Sequence, residues 1–116
     1  MSHNLYLVLD GVNVDFPYQT STAESWTALG EATSLEGKAA IEAFEKVISN
    51  KLAPVQGLLD ALRSLESRRM GMSYSTVSRR YDIIKELEEK SPINLESIER
   101  FRHKLKLAKT IRLCVN

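Results

Sequence analysis

The sequence predicts an α+β fold, predominantly α, in which four to five helices accompany a small antiparallel β-sheet. Three observations carry that expectation. Two β-prone runs flank Asp10-Gly11, apolar stripes at helical spacing fill the middle of the chain, and residues 110–115 return to strand composition. With 116 residues and 43% apolar content, the chain is sized for a single domain, 1–116, around one core.

The first element is a β-hairpin over 5–16. Leu5-Tyr6-Leu7-Val8-Leu9 and Val12-Asn13-Val14-Asp15-Phe16 are separated by Asp10-Gly11, a pair suited to the positive φ angles of a type I′ turn. The second run alternates in polarity, whereas the first is apolar on both sides, which makes the first strand the inner one. Two strands alone are marginal. The C-terminal run 110–115 has the composition of a third strand, so a three-stranded sheet is expected.

The helical body spans 21–109. Ser21 and Glu24 are spaced as a capping box for a short helix carrying Trp26 and Leu29 and stopped at Gly30. Ser34 is the expected N-cap of a second helix, in which Leu35, Ala39, Ile41, Phe44, Val47 and Ile48 approximate the helical period, ending before Pro54. A third helix is expected over 54–69, on the stripe of Val55, Leu58, Leu59, Leu62 and Leu65, with Gly71 as its stop. A fourth over 75–89 uses Val77, Tyr81, Ile84 and Leu87. A fifth over 95–109 uses Leu95, Ile98, Phe101, Leu105 and Ala108. The expected core comprises Leu7, Leu9, Val14, Phe44, Val47, Leu58, Leu62, Val77, Ile84, Ile98, Phe101 and Leu105, with Trp26 at least partly buried.

Several functional classes are disfavoured by what the chain contains. The uncharged stretch 4–9 is far shorter than the roughly 18 apolar residues of a membrane span, and no basic segment precedes it, so the expected location is the cytoplasm. The one cysteine, Cys114, lies in an apolar run and is expected to be buried. It leaves no Cys/His zinc pattern, and the glycines form no phosphate-binding loop. His3 and His103 have no neighbouring catalytic partner in sequence, which points away from an enzyme and from any cofactor or metal. Asp10 and Asp15 flank the hairpin, where the turn role of Asp10 outweighs cation binding.

Charge is unevenly divided within a net +1. Residues 1–50 carry seven carboxylates and two cations, giving −5, while residues 51–116 carry fourteen cations and eight carboxylates, giving +6. A basic half is suited to a polyanion, unless the halves neutralise each other on folding.

The basic half holds the one segment with a functional suggestion. Arg63, Arg68, Arg69, Arg79 and Arg80 surround Gly71-Met72-Ser73-Tyr74-Ser75-Thr76-Val77-Ser78-Arg79. Residues 71–79 resemble the turn and the start of the recognition helix in Lac-repressor-type helix-turn-helix proteins. That resemblance implies that hydroxyls and amides at the helix start meet phosphates and base edges while arginines neutralise the backbone. The implied DNA-binding residues are Arg68, Arg69, Ser73, Tyr74, Ser75, Arg79 and Arg80. The family has a small or apolar residue about five before the turn glycine and an apolar residue on the inner face of the second helix; here Glu66 and Arg80 stand at those places. A second alignment resembles plasmid and mobile-element regulators with three-helix DNA-binding domains. It would make the helix with Arg100, Arg102, His103, Lys104 and Lys106 the reading element, although Glu96 and Glu99 near its start would repel phosphate.

The sequence therefore points to a small DNA-binding regulator with a helix-turn-helix-like segment around Gly71 and double-stranded DNA as its partner. The alternative is a non-enzymatic helical adaptor or chaperone-like module, whose amphipathic stripes dock another protein or pair as a homodimer.

Overall fold

The computed structural model describes residues 4–66 and 73–116, which fall into two compact units. Residues 1–50 and 95–116 form a sheet-bearing unit, and residues 51–94 form a helical unit. In chain order the elements are β1 (Leu5–Leu9), β2 (Val12–Asp15), α1 (Thr22–Leu29), β3 (Ser34–Glu36) and α2 (Gly37–Leu52). A single 3-10 turn (Ala53–Val55), α3 (Gln56–Glu66), α4 (Tyr74–Lys90), α5 (Leu95–Leu107) and β4 (Ile111–Val115) follow. The fold is α+β and mainly helical, with a four-stranded antiparallel sheet ordered β2-β1-β4-β3.

The hairpin forms as its turn residues dictate. Asp10 and Gly11 adopt φ of 51° and 83°, and Leu9 pairs with Val12 across them. Asp10 does more than turn the chain. Its carboxylate accepts from the amides of Lys109 and Thr110, both at 2.9 Å, and its own amide donates to the Thr110 carbonyl at 3.0 Å. These bonds tie the start of β4 to the β1–β2 turn. They also hold the Asp10 carboxyl below its ordinary pKa, chiefly through the Thr110 amide. They explain why α5 does not continue to 109: the Ala108 amide still donates to the Lys104 carbonyl, but those of Lys109 and Thr110 are committed to Asp10.

β4 lies between β1 and β3, with Leu113 opposite both Leu7 and Leu35. Leu5, Leu7, Leu9, Ile111 and Leu113 are buried. Cys114 is buried as its apolar surroundings require. The buried residues of α2, Ala40, Ala43, Phe44, Val47 and Ile48, and those of α5, Ile98 and Leu105, complete the core of this unit. Phe44 meets Phe16 edge-on at 5.3 Å between ring centroids.

One element differs in kind from expectation. Ser34 is not a helix cap; it opens β3, and α2 begins at Gly37. Gly37, at φ 58°, turns the chain out of the strand, and pairing with β4 satisfies backbone groups that a side-chain cap cannot reach. The capping box of α1 is present: Ser21 Oγ accepts from the Glu24 amide at 3.1 Å, and Glu24 Oε1 accepts from the Ser21 amide at 3.2 Å. The other Glu24 oxygen accepts from the Tyr18 hydroxyl at 2.7 Å.

In the helical unit α2 gives way to the 3-10 turn at Pro54, so α3 begins at Gln56, two residues after the expected start. Residues 67–69 at its expected end, and the Gly71 stop, lie outside the described residues. α3 and α4 pack together, with Leu65, Ile83 and Leu87 buried.

The core expectation holds for Leu7, Leu9, Phe44, Val47, Ile98 and Leu105, while Val14, Leu58, Leu62, Ile84 and Phe101 are half-buried. Val77 and Trp26 are corrections, being 49% and 60% exposed. The inward direction of α4 is set by Ile83 and Leu87, and Val77 falls about 120° around the helix from Ile83. The stripe of Val77 and Tyr81 is more apolar than the Thr76–Arg80 stripe that faces inward, so a pattern based on polarity selects the wrong side.

Candidate nucleic-acid interface

Of the seven residues singled out for DNA, Arg68 and Arg69 lie outside the described residues, and the other five stand at the start of α4. Ser73 is the N-cap, with extended backbone at φ −66° and ψ 159°, and its Oγ accepts from the Thr76 amide at 3.3 Å. The Ser75 and Thr76 hydroxyls each lie 3.0 Å from the Ser73 Oγ, gathering three hydroxyls at the helix start. Ser73 is therefore occupied as a cap, and its hydroxyl is shared within this cluster.

Tyr74 is 89% exposed, and Ser75 and Arg79 are exposed as well. Arg79 has no ion-pair partner among the described residues. Arg80 does: its Nε and Nη2 donate to Glu66 Oε1 at 3.3 and 3.1 Å. Arg79 and Arg80 are thus not equivalent, since adjacent helical positions diverge by about 100°. Arg79 is exposed one turn before the buried Ile83, and Arg80 reaches back to α3. Glu66 and Arg80 are also the two positions at which the Lac-repressor-type pattern has packing residues, and here they pair with each other.

Sequence reasoning missed two members of the same surface. Ser78 and Tyr81 follow Tyr74 by four and seven residues, the helical repeat that brings side chains onto one side, and both are exposed, Tyr81 at 66%. That spacing is readable, but Tyr81 also falls on the apolar stripe that marks the helix.

The charge of α4 is polarised along its length. Its first eight residues, 74–81, carry Arg79 and Arg80 and no carboxylate; the rest carries Asp82, Glu86, Glu88 and Glu89 against Lys85 and Lys90. No acidic residue complements the positive end of the helix dipole in the first turn.

The cations of α5, the alternative reading element, are largely committed. Arg102 donates from Nε and Nη2 to Glu45 of α2 at 3.0 Å each and also pairs with Glu99. The bonds to Glu45, then Glu99, raise its affinity for its proton. Arg100 pairs with Glu96 at 3.2 Å, and the Lys104 ammonium sits 5.2 Å from the Phe101 ring centroid. His103 and Lys106 line a cleft of 330 Å³ beside Glu45 and Ile41.

Among the described residues there is no group of three or more acidic, histidine or cysteine side chains placed to hold a metal, and no helix long and apolar enough to cross a membrane. No family model matches the chain, and neither a curated protein nor a solved structure matches it significantly.

Proposed function

We propose that the protein is a small, non-enzymatic DNA-binding regulator of the cytoplasm that meets the duplex with the first two turns of α4. The observation that carries this reading is the composition of an exposed surface. Residues 73–81 combine hydroxyls, two tyrosines and a guanidinium with no ion-pair partner among the described residues, without one carboxylate. Phosphate oxygens are bound by such donors at a helix start and repelled by carboxylates, and tyrosine and serine hydroxyls also reach base edges. Tyr74, Ser75 and Ser78 front the groove in this reading, and Arg79 contacts a flanking phosphate. Arg80 serves α3, and the Glu66–Arg80 pair occupies the place of the family's apolar contact.

The test is a fluorescence-anisotropy titration of a labelled duplex. Wild type should bind at low salt, and Arg79→Ala should reduce the slope of log affinity against log salt by about one. Arg80→Ala should change the slope less, because its charge is already partnered. Absence of binding to any duplex at low salt overturns the proposal.

A second reading is favoured by one observation, the outward placement of Val77 between Tyr74 and Tyr81. An apolar side chain in that position suits a protein partner, and binding through it would be almost insensitive to salt.

A further inference from the structure

The structure assigns the cleft at the end of α1 to one arginine side chain of a basic partner segment: the guanidinium stacks on Trp26 and donates to Glu31, while its methylene stem lies on Leu29 and Val115. The cleft belongs to the sheet-bearing unit, so the assignment goes beyond the DNA reading and does not rest on it. Trp26, the chain's one tryptophan, is 60% exposed, although the largest aromatic side chain of a short helix ordinarily anchors it by burial. It lines a cleft of 190 Å³ together with Glu31, Ala32, the buried Leu29 and Ser25, and Val115 at the end of β4.

Backbone bonds fix the walls. The amide of Gly30, which adopts φ 60°, donates to the Trp26 carbonyl at 2.8 Å, and the Ala32 amide donates to the Leu29 carbonyl at 3.0 Å. These bonds turn the chain back at the end of α1 and bring Glu31 to the same cleft as the indole. The Val115 amide donates to the Thr33 carbonyl at 3.3 Å, which ties β4 to the same turn. The cleft is thus formed in advance, and a ligand loses little affinity in ordering it.

The chemistry of the lining chooses the occupant. Glu31 is exposed and has no ion-pair partner among the described residues. A tryptophan face attracts a cation, and a carboxylate beside it adds charge-assisted hydrogen bonds. Leu29, Ala32 and Val115 have apolar side chains, and the Ser25 hydroxyl already donates to the Ser21 carbonyl at 3.2 Å. A sugar, whose hydroxyls need several polar partners, is therefore poorly served. A neutral apolar side chain would cover Glu31 without compensating its charge. A cation on a long aliphatic stem suits the ring, the carboxylate and the apolar floor together. Arginine does so better than lysine, because its planar guanidinium both stacks on an aromatic face and forks onto a carboxylate.

Fluorescence of the full chain reads the cleft directly, because Trp26 is its one tryptophan. Titration with N-acetyl-arginine amide should change the emission saturably, with half-saturation at a concentration on the order of millimolar. The citrulline analogue, similar in shape but uncharged, should bind about tenfold more weakly or worse. Glu31→Gln should weaken the arginine probe by about tenfold while leaving the circular dichroism unchanged. Trp26→Leu removes the optical signal, so its binding is followed through the Ala32 and Val115 amide shifts and should be lost. The assignment is overturned if the arginine probe gives no saturable response, if citrulline or a neutral sugar binds as well, or if Glu31→Gln binds like wild type. Neither variant should alter affinity for a duplex. Failure of the arginine probe would leave the DNA reading standing, and absence of duplex binding would leave the cleft standing.

Discussion

In the sheet-bearing unit the polar side chains with well-formed geometry are turned back on the fold. Asp10 clasps the start of β4, Glu24 closes a capping box and takes the Tyr18 hydroxyl, and Arg102 bridges α5 to Glu45 of α2. In the helical unit the start of α4 does the opposite: Tyr74, Ser75, Ser78, Arg79 and Tyr81 face solvent, and Arg80 alone of its arginines is held by a carboxylate. Groups that bind intramolecular partners stabilise the chain, and groups held out on a capped helix are available to another molecule. The contrast predicts that substitutions of groups turned inward in the first unit change stability, whereas those on the outer side of α4 change binding.

Four measurements can break or sharpen that contrast. The largest stability effect belongs to Phe44, fully buried and against Phe16: Phe44→Ala should cost about 3–5 kcal/mol in denaturant unfolding. Asp10→Asn should lower the thermal midpoint near neutral pH. The carboxyl is held below its ordinary pKa in the folded chain, so its stabilisation is present above the ordinary carboxylate range and is lost as pH falls through the depressed folded value. The gap between wild type and variant should therefore close on acidification; a gap independent of pH would show that the charge of Asp10 is not what pins β4. Smaller still is Ser73→Ala, which removes the α4 cap and should cost about 1 kcal/mol. The smallest is Glu66→Ala, about 0–1 kcal/mol, because both side chains of its pair with Arg80 are near half exposed. Losing Glu66 also releases Arg80, so duplex affinity should rise even as stability falls slightly.

Legibility in sequence also divides between the two units. The hairpin was readable from Asp10-Gly11, the last strand from the β-branched and apolar run at 110–115, and the capping box from the Ser21–Glu24 spacing, all local signals. β3 was not readable. Three residues carry little propensity, and Ser34–Glu36 become a strand only through pairing with Cys114, Leu113 and Arg112, some eighty positions away. The existence of α4 was plain from its pattern, but its rotation was not, since Val77 and Tyr81 outrank Thr76 and Arg80 in hydropathy and yet face outward. For the same reason Tyr74, Ser75 and Arg79 are legible as surface donors, while Tyr81 reads as part of the apolar stripe with Val77. The use of Arg80 by Glu66 depends on how α3 and α4 pack, which no spacing within either helix reveals.

The most direct test of the DNA reading is to locate the contact by amide chemical-shift mapping of the isotopically labelled full chain, titrated with a short duplex at low salt. Shift changes should concentrate at residues 73–81 and fade through the acidic residues from Asp82 onward, with the sheet-bearing unit unchanged. Perturbations centred on the sheet or on α5, or a spectrum that does not move at all, would contradict that reading.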